Sequence, residues 1–176
     1  MRVGRDRLGP VTRGVPLKAI RVLVTETLAT MTIVAGVERI DRESTAVIEG
    51  QKHAEAFGED LHVVHVLSQS AFRDLEQDSL SDTGKTVPVD EIRAYAKEIA
   101  DGVASRTTDD YEAVGLVGDA SDELIRYAEE QDASYICVGG RRRSAVGKAL
   151  FGSVTQDVLM NADCPVVTHV RPEKKE

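Results

Sequence analysis

The sequence predicts an α/β fold in which five short apolar strands alternate with helices. Two observations lead to this prediction. The strand segments are continuous apolar and β-branched runs, as expected of strands buried on both faces of a parallel sheet. The segments between them repeat apolar residues at helical spacing. Such alternation favours an open parallel sheet that is covered by helices on both faces and joined by right-handed crossovers.

Length and composition narrow the possible functions. At 176 residues, with 41% hydrophobic and 30% charged residues, the chain has the size and composition of one soluble globular domain. A net charge of -8, 4% aromatic residues and no Trp argue against a nucleic-acid-binding surface. Lys18, Arg21 and Glu26 interrupt the apolar stretch from Val15 to Val37, which argues against a signal peptide or a membrane span. We therefore expect a cytoplasmic protein in which Cys137 and Cys164 are buried, reduced thiols.

The chain divides into three parts by pattern. Residues 1–30 mix Gly, Pro and Arg without an amphipathic period, which predicts a poorly ordered extension. Alternatively, Met31 is the natural start, because the ordered pattern begins there. The folded domain is expected to span 31–171, with 172–176 as a solvated tail.

The elements follow in order along this domain. Strands are predicted over 31–37, 61–67, 111–118, 135–138 and 165–170. Helices are predicted over 41–57, 89–103, from a cap at Ser121, and over 152–161. The first helix carries Val47, Gly50, Ala54 and Phe57 on its apolar stripe. Residues 68–88 are polar and rich in turn-forming residues, which predicts the longest irregular connection of the chain.

The last third of the domain suggests where a ligand could bind. In open parallel sheets, ligands bind beyond the carboxyl ends of the strands, where the strand order reverses. If the first and fourth strands flank that point, 36–38 and 139–143 face one crevice and Val66 lies beside it. A glycine turn and a helix start at Gly152–Ser153 favour bound phosphate, with a nucleotide base toward Val66. For Ser153, a plain N-cap role and phosphate contact use the same geometry.

Catalytic motifs are weak by comparison. A P-loop is excluded, because six residues separate Gly140 from Gly147 and Ala149 stands where Ser or Thr is required. His62 and His65 lie three residues apart on opposite faces of the second strand, where a structural role is the commoner one. No Ser occupies a nucleophile elbow. The sequence therefore does not predict an enzyme.

Four segments resemble the universal stress protein family, and together they span about 31–170. They are MTIVAGVE, LHVVHVL, VGDASDELIRYAEE and VGG…FGSVTQDVLMNADCPVV. ATP-binding members of that family carry a glycine, two residues, a second glycine, nine residues and then Gly-Ser. Counted back from Gly152–Ser153, these glycine positions fall at Gly139 and Arg142. The spacing of the motif is therefore kept, but Arg142 stands in place of its second glycine.

The chain departs from the family pattern at two positions. Glu38 stands where the family usually has an Asp that meets the adenine or ribose, and its extra methylene moves the carboxylate by more than about 1 Å. Arg142 replaces a residue that lets the backbone approach phosphate. Together with Arg141 and Arg143 it could bind phosphate through charged, bidentate hydrogen bonds. Alternatively, the three arginines form a solvated basic loop.

The resemblance implies an adenine-nucleotide α-hydrolase-like fold with strand order 3-2-1-4-5. It also implies a homodimer through the fifth strand, which would otherwise be an exposed apolar edge. The residues of that strand are Pro165, Val166, Val167, Thr168, His169 and Val170.

The first functional hypothesis is a stress-response protein that binds ATP, alone or with Mg²⁺, or a related nucleotide, with little or no turnover. The implied site comprises Gly36, Glu38, Val66, Val138, Gly139, Arg142, Gly152, Ser153 and Val154. The second hypothesis is a dimeric scaffold whose crevice is closed by Arg142 and whose 68–88 segment meets a partner. A third is an adenylating enzyme module, which would need a pyrophosphate loop near the first strand.

Overall fold

A computed structural model describes residues 31–38, 43–83, 86–140 and 151–170, and the statements below concern these ranges. They contain five strands and five helices, numbered here in chain order. The strands are β1 (Thr32–Gly36), β2 (Asp60–Leu67), β3 (Glu112–Val117), β4 (Tyr135–Gly140) and β5 (Val166–Val170). The helices are α1 (Thr45–Phe57), α2 (Gln69–Thr83), α3 (Val89–Ala104), α4 (Ala120–Glu130) and α5 (Ser153–Asn161).

The strands form one parallel sheet in the order β3-β2-β1-β4-β5, which confirms the predicted fold and strand order. Gly36 is opposite Val64 of β2 on one side and Val138 of β4 on the other. Strand order therefore reverses between β1 and β4, and their carboxyl ends lie side by side. This is the place where ligands bind in open parallel sheets.

Alternate residues of the strands supply two separate cores. On one face, Ile33 and Ala35 pack with Val47 of α1 and Val103 of α3. On the other face, a second cluster combines residues of β1, β2, β4, α4 and α5, namely Val34, Val64, Leu124, Ala128, Ile136, Val138 and Val158. Burial of both sheet faces explains why the strands are apolar throughout rather than alternating.

The helices approach the sheet closely where glycine replaces a side chain. At Gly115 in β3, a Cβ would lie 2.1 Å from the Arg93 carbonyl and 2.3 Å from the Lys97 nitrogen of α3. These contacts are with backbone atoms, which cannot move aside cheaply. Gly115 therefore lets the backbone of α3 approach β3 closely.

The prediction for 68–88 was wrong, because most of this segment is the helix α2. Ala71, Phe72 and Leu75 follow one side of that helix and pack against a cluster formed by Leu67 and Ile92. Most other described residues of α2 are polar, and so the sequence of this segment resembles that of a loop. The described chain accordingly has five helices rather than the predicted four.

Two details of the predicted helices were also wrong. The N-cap of α4 is Asp119, whose side chain accepts hydrogen bonds from the backbone of Ser121 and Asp122. Ser121 instead lies in the helix and is buried. Phe57 at the end of α1 is 56% exposed and stacks on Tyr135 rather than entering the core.

No helix within the described ranges is long and apolar enough to cross a membrane.

Candidate functional site

A cavity of about 210 Å³ opens at the carboxyl ends of β1 and β4. Its wall combines apolar side chains, glycines and a few polar groups. The lining residues come from or adjoin three strands and three helices: Gly36, Val37, Glu38, Glu43, Ser44, Thr45, Val64, His65, Val66, Ala120, Leu124, Val138, Gly139, Gly140, Val154 and Thr155. This mixture of an apolar wall with a few polar groups is typical of small-molecule sites.

The floor of the cavity is the end of β1, where α4 comes close to the strand. A Cβ on Gly36 would lie 2.8 Å from a methyl carbon of Leu124 and 3.4 Å from one of Val138. The Val37 N–H donates to the Val64 carbonyl over 2.9 Å, so the chain stays against β2 for one residue beyond the strand. Glu38 then enters the cavity wall.

His65 forms part of the wall and is only 9% exposed. Its Nδ1 lies 2.9 Å from the Val37 carbonyl oxygen. A carbonyl can only accept a hydrogen bond, so Nδ1 must carry the proton and donate. The ring therefore ties β2 to the segment that follows β1.

The main chain of Val66 points toward the cavity side of β2. The Val64 carbonyl accepts from Val37 on the β1 side, and the Leu67 carbonyl accepts from Gly118 at the end of β3. Because successive residues of a strand direct their backbone groups to opposite sides, Val66 faces the same side as Val64. Residue pairing between β1 and β2 ends at Gly36–Val64, so Val66 lies just beyond it.

The start of α5 forms the opposite wall. Its N-cap residue is Gly152, which has no side chain with which to cap the first-turn N–H groups. The Thr155 hydroxyl donates to the Gly139 carbonyl over 2.9 Å and is buried. This bond holds the first turn of α5 against the end of β4, and the positive end of the helix dipole adjoins the cavity.

Two other helices also begin at the cavity. Ser44 precedes α1, and Thr45 opens it, with its hydroxyl 3.5 Å from the His169 carbonyl of β5. Ala120 opens α4, whose first-turn N–H groups are already capped by the Asp119 carboxylate. These hydrogen bonds keep the pKa of Asp119 below its ordinary value, with the Ser121 hydroxyl as the main cause. The amino ends of three helices therefore adjoin one cavity.

Most of the residues predicted for the site lie together here. The cavity is lined by Gly36, Glu38, Val66, Val138, Gly139 and Val154. Gly152 and Ser153 directly precede Val154 but are not part of its lining. Arg142 and its neighbours 141 and 143 lie outside the described residues, as do the predicted segments 1–30 and 172–176.

Several wall residues were missed by the sequence analysis. His65 was assigned a structural role, and Thr155, Ser44 and Thr45 received no role in the site. A usable signal existed for Thr155, because it lies in the first turn of a helix that begins with Gly-Ser. None existed for Thr45, since its place depends on how α1 packs beside β4 and β5.

The two cysteines do not contribute to the cavity lining. Both are free, and Cys137 is fully buried in β4. Burial raises the pKa of the Cys137 thiol to about 12, so it is protonated and unreactive at neutral pH. Cys164 is partly rather than fully buried, and burial raises its pKa as well. In the described ranges, no group of three or more His, Cys, Asp or Glu side chains is placed to hold a metal ion.

The model of the universal stress protein family matches residues 30–170. The chain belongs to this family. A universal stress protein of Methanocaldococcus jannaschii is 33% identical over 60 residues, which are 34% of this chain and 35% of that relative. The matched segment thus spans about a third of that curated relative's length.

Solved structures of universal stress proteins share the fold. One from Archaeoglobus fulgidus is 26% identical. The alignment covers 78% of this chain and 97% of that protein's chain, with a TM-score of 0.52. A universal stress protein solved in complex with cAMP is 23% identical and covers 81% of this chain and 98% of its own, with a TM-score of 0.51. At that identity the second likeness concerns the fold alone.

Proposed function

We propose that this universal stress protein binds an adenine nucleotide, foremost ATP, in the cavity between β1 and β4. The observation that carries the proposal is the cavity wall itself. One side offers apolar contacts and the outward main chain of Val66, and the other offers the uncapped start of α5. A nucleotide has the same division, with a flat apolar base at one end and anionic phosphates at the other.

The base would lie on the β1–β2 side of the cavity. Val37, Val66 and Leu124 supply apolar surface there, and Gly36 keeps the floor low. The Val66 N–H and C=O form an adjacent donor and acceptor. Adenine presents the complementary pair on its edge, with N1 as acceptor and the 6-amino group as donor.

The phosphates would lie toward Gly139, Gly140 and the start of α5. A helix amino end attracts anions through its free N–H groups and its dipole. A Cβ built on Gly152 has no atom of the described residues within 4 Å, so these residues leave space beside it for a phosphate. We assign Ser153 and Val154 to ribose and phosphate contacts, Arg142 to phosphate by its place in the sequence, and Glu38 to the ribose or base.

The family adds support to this proposal. A universal stress protein of the same fold has been solved with cAMP, which is an adenine nucleotide. We propose a ligand-binding role with little or no turnover, because the sequence carries neither a P-loop nor a nucleophile elbow. Two free cysteines suit the reducing cytoplasm, which we propose as the site of action.

Calorimetric titration of the full chain tests this proposal. ATP, AMP, cAMP and GTP would be titrated in turn, with and without Mg²⁺, and the solution assayed for ADP afterwards. We expect micromolar affinity for at least one adenine nucleotide, weaker binding of GTP and no stoichiometric ADP on the binding timescale. Absence of heat and of any melting-temperature increase at millimolar adenine nucleotide would overturn the proposal and favour the scaffold role.

We also propose that β5 pairs with β5 of a second copy. The Ile136 N–H donates to the Pro165 carbonyl, so Pro165 and Val167 direct their backbone groups to β4. Val166 and Thr168 therefore direct theirs to the open edge of the sheet. β5 is the terminal strand on that side of the described sheet, and an uncovered apolar edge is a ready template for pairing. The dimer is compatible with either the nucleotide or the scaffold role.

A further inference from the structure

His65 interrupts the hydrogen-bond ladder between β1 and β2. In a parallel ladder, a residue donates its N–H to the carbonyl of one residue in the neighbouring strand. Its own carbonyl accepts from the N–H of the residue two places further along that neighbouring strand. Val37 donates to the Val64 carbonyl, so the next donor in the ladder is the Val66 N–H. The Val37 carbonyl instead accepts from the His65 ring, and strand pairing stops at Gly36–Val64.

This replacement leaves the Val66 main chain directed into the cavity rather than paired with Val37. We propose that His65 is a positioning residue of the nucleotide site, which takes the Val37 carbonyl and so reserves the Val66 main chain for the adenine edge. The inference rests on the proposed function and deepens it, because it names the residue that sets base specificity. His65 itself need not touch the nucleotide.

The preference for adenine over guanine follows from the donor and acceptor pattern of the Val66 N–H and C=O. Guanine carries an acceptor where adenine has its 6-amino group and a donor where adenine has N1. In the same position, the guanine N1–H would face the Val66 N–H, and the guanine O6 would face the Val66 carbonyl oxygen. A site with fixed polar groups rejects such an analogue strongly, because those groups are left unpaired. The preference for ATP over GTP therefore reports on the availability of the Val66 groups.

Two variants of His65 separate positioning from simple bulk. In His65→Leu the ring donor is lost while the apolar volume is largely kept, so the Val66 N–H can close the ladder onto the Val37 carbonyl. In His65→Asn the amide nitrogen falls near the place of Nδ1 and can still donate. His62→Leu is a matched control, because His62 also lies in β2 and is equally buried. His62 is three residues before His65, on the opposite face of the strand, and its ring bonds the Tyr127 hydroxyl.

The first readout is the affinity for ATP and GTP by calorimetry with the full chain. We expect His65→Leu to weaken ATP binding roughly tenfold, the effect of one hydrogen bond, and to shrink the ATP-to-GTP preference. The ATP affinities of His65→Asn and His62→Leu should stay within about threefold of that of the unmodified chain, which is less than the effect of losing one hydrogen bond. If the unmodified chain binds no adenine nucleotide, the proposed function fails. If the unmodified chain binds ATP, and His65→Leu has the same ATP affinity and the same ATP-to-GTP preference, only the proposed role of His65 fails.

The second readout needs no ligand and is amide hydrogen exchange followed by NMR. In the nucleotide-free protein, we expect the Val66 amide to exchange much faster than the Val64 amide. In His65→Leu the Val66 amide should become protected as the ladder closes. A Val66 amide that is already protected in the unmodified protein would overturn the inference.

Discussion

The Thr155 hydroxyl lies 2.9 Å from the Gly139 carbonyl and donates to it, which joins the first turn of α5 to the end of β4. The two residues are 16 positions apart, and the intervening segment contains the arginines of the proposed phosphate site. This bond joins the residues on either side of that segment, and with the apolar packing of Val158 it holds α5 against the sheet.

Thr155→Val should loosen that wall. Valine keeps the shape of the buried side chain but cannot donate to Gly139, so we expect a loss of about 1 kcal/mol in unfolding free energy. ATP affinity should fall as well, because the amino end of α5 is no longer held against β4. Urea unfolding and calorimetry measure the two effects, and Thr155→Ser, which keeps the hydroxyl, is the control. Unchanged affinity in Thr155→Val would show that the bond does not position the site.

Gly152→Val should abolish ATP binding and leave the fold and oligomeric state unchanged. The backbone at Gly152 has φ -67° and ψ 160°, which valine adopts readily, and a Cβ there meets no described atom within 4 Å. The added side chain would instead occupy the space assigned to phosphate. Melting temperature and calorimetry separate these outcomes. Equal ATP binding by the variant would contradict our placement of the phosphates.

Asp119→Ala should destabilise the protein through α4. The carboxylate caps the first turn of the helix, and removal of such a cap costs about 1 kcal/mol. Asp119→Asn keeps an acceptor and should cost less. Urea unfolding of the three proteins at pH 7 measures both differences.

The effect of Asp119 should also depend on pH in a defined direction. Its folded-state pKa lies below the ordinary value of 3.8, so the ionised cap contributes fully above about that pH. As pH falls through the lower folded-state pKa, the carboxylate is protonated and this contribution is lost. The stability gap between the unmodified chain and Asp119→Ala should therefore narrow below pH 3.8. A gap that widens on acidification would contradict the capping role.

Thr168→Pro should convert the proposed dimer to a monomer. Proline removes the N–H that faces the open edge, whereas the pairing of β5 with β4 uses the neighbouring residues. His169→Pro is the opposing control, since it removes an N–H on the β4 side and should destabilise the fold. Sedimentation velocity and thermal melting distinguish the two. A Thr168→Pro protein that stays dimeric would place the interface elsewhere.

The strand order and part of the cavity wall could be predicted because they depend on local pattern. Buried parallel strands are apolar throughout, and glycines such as Gly36 and Gly139 mark their carboxyl ends. α2 was missed because its packing rests on a few apolar residues, including Phe72 and Leu75, in an otherwise polar segment. Helical periodicity is too weak a signal in such a segment.

The missed wall residues illustrate a different limit. The role of His65 depends on a hydrogen bond to Val37, 28 residues away, and nothing in either local sequence announces that contact. Thr155 similarly depends on the distance between α5 and the Gly139 carbonyl. Long-range hydrogen bonds of single side chains leave no period in a sequence, so they become visible only once the fold is in place.

NMR chemical-shift mapping with ATP tests the central claim most directly. The amides of Gly36, Val66, Val138 and Gly139 report on the cavity, and that of Tyr127 reports on the distant end of the sheet. We predict saturable shifts at the first four as ATP is added, with little change at Tyr127. Shifts confined to residues outside the cavity, or none at millimolar ATP, would contradict the claim that an adenine nucleotide binds between β1 and β4.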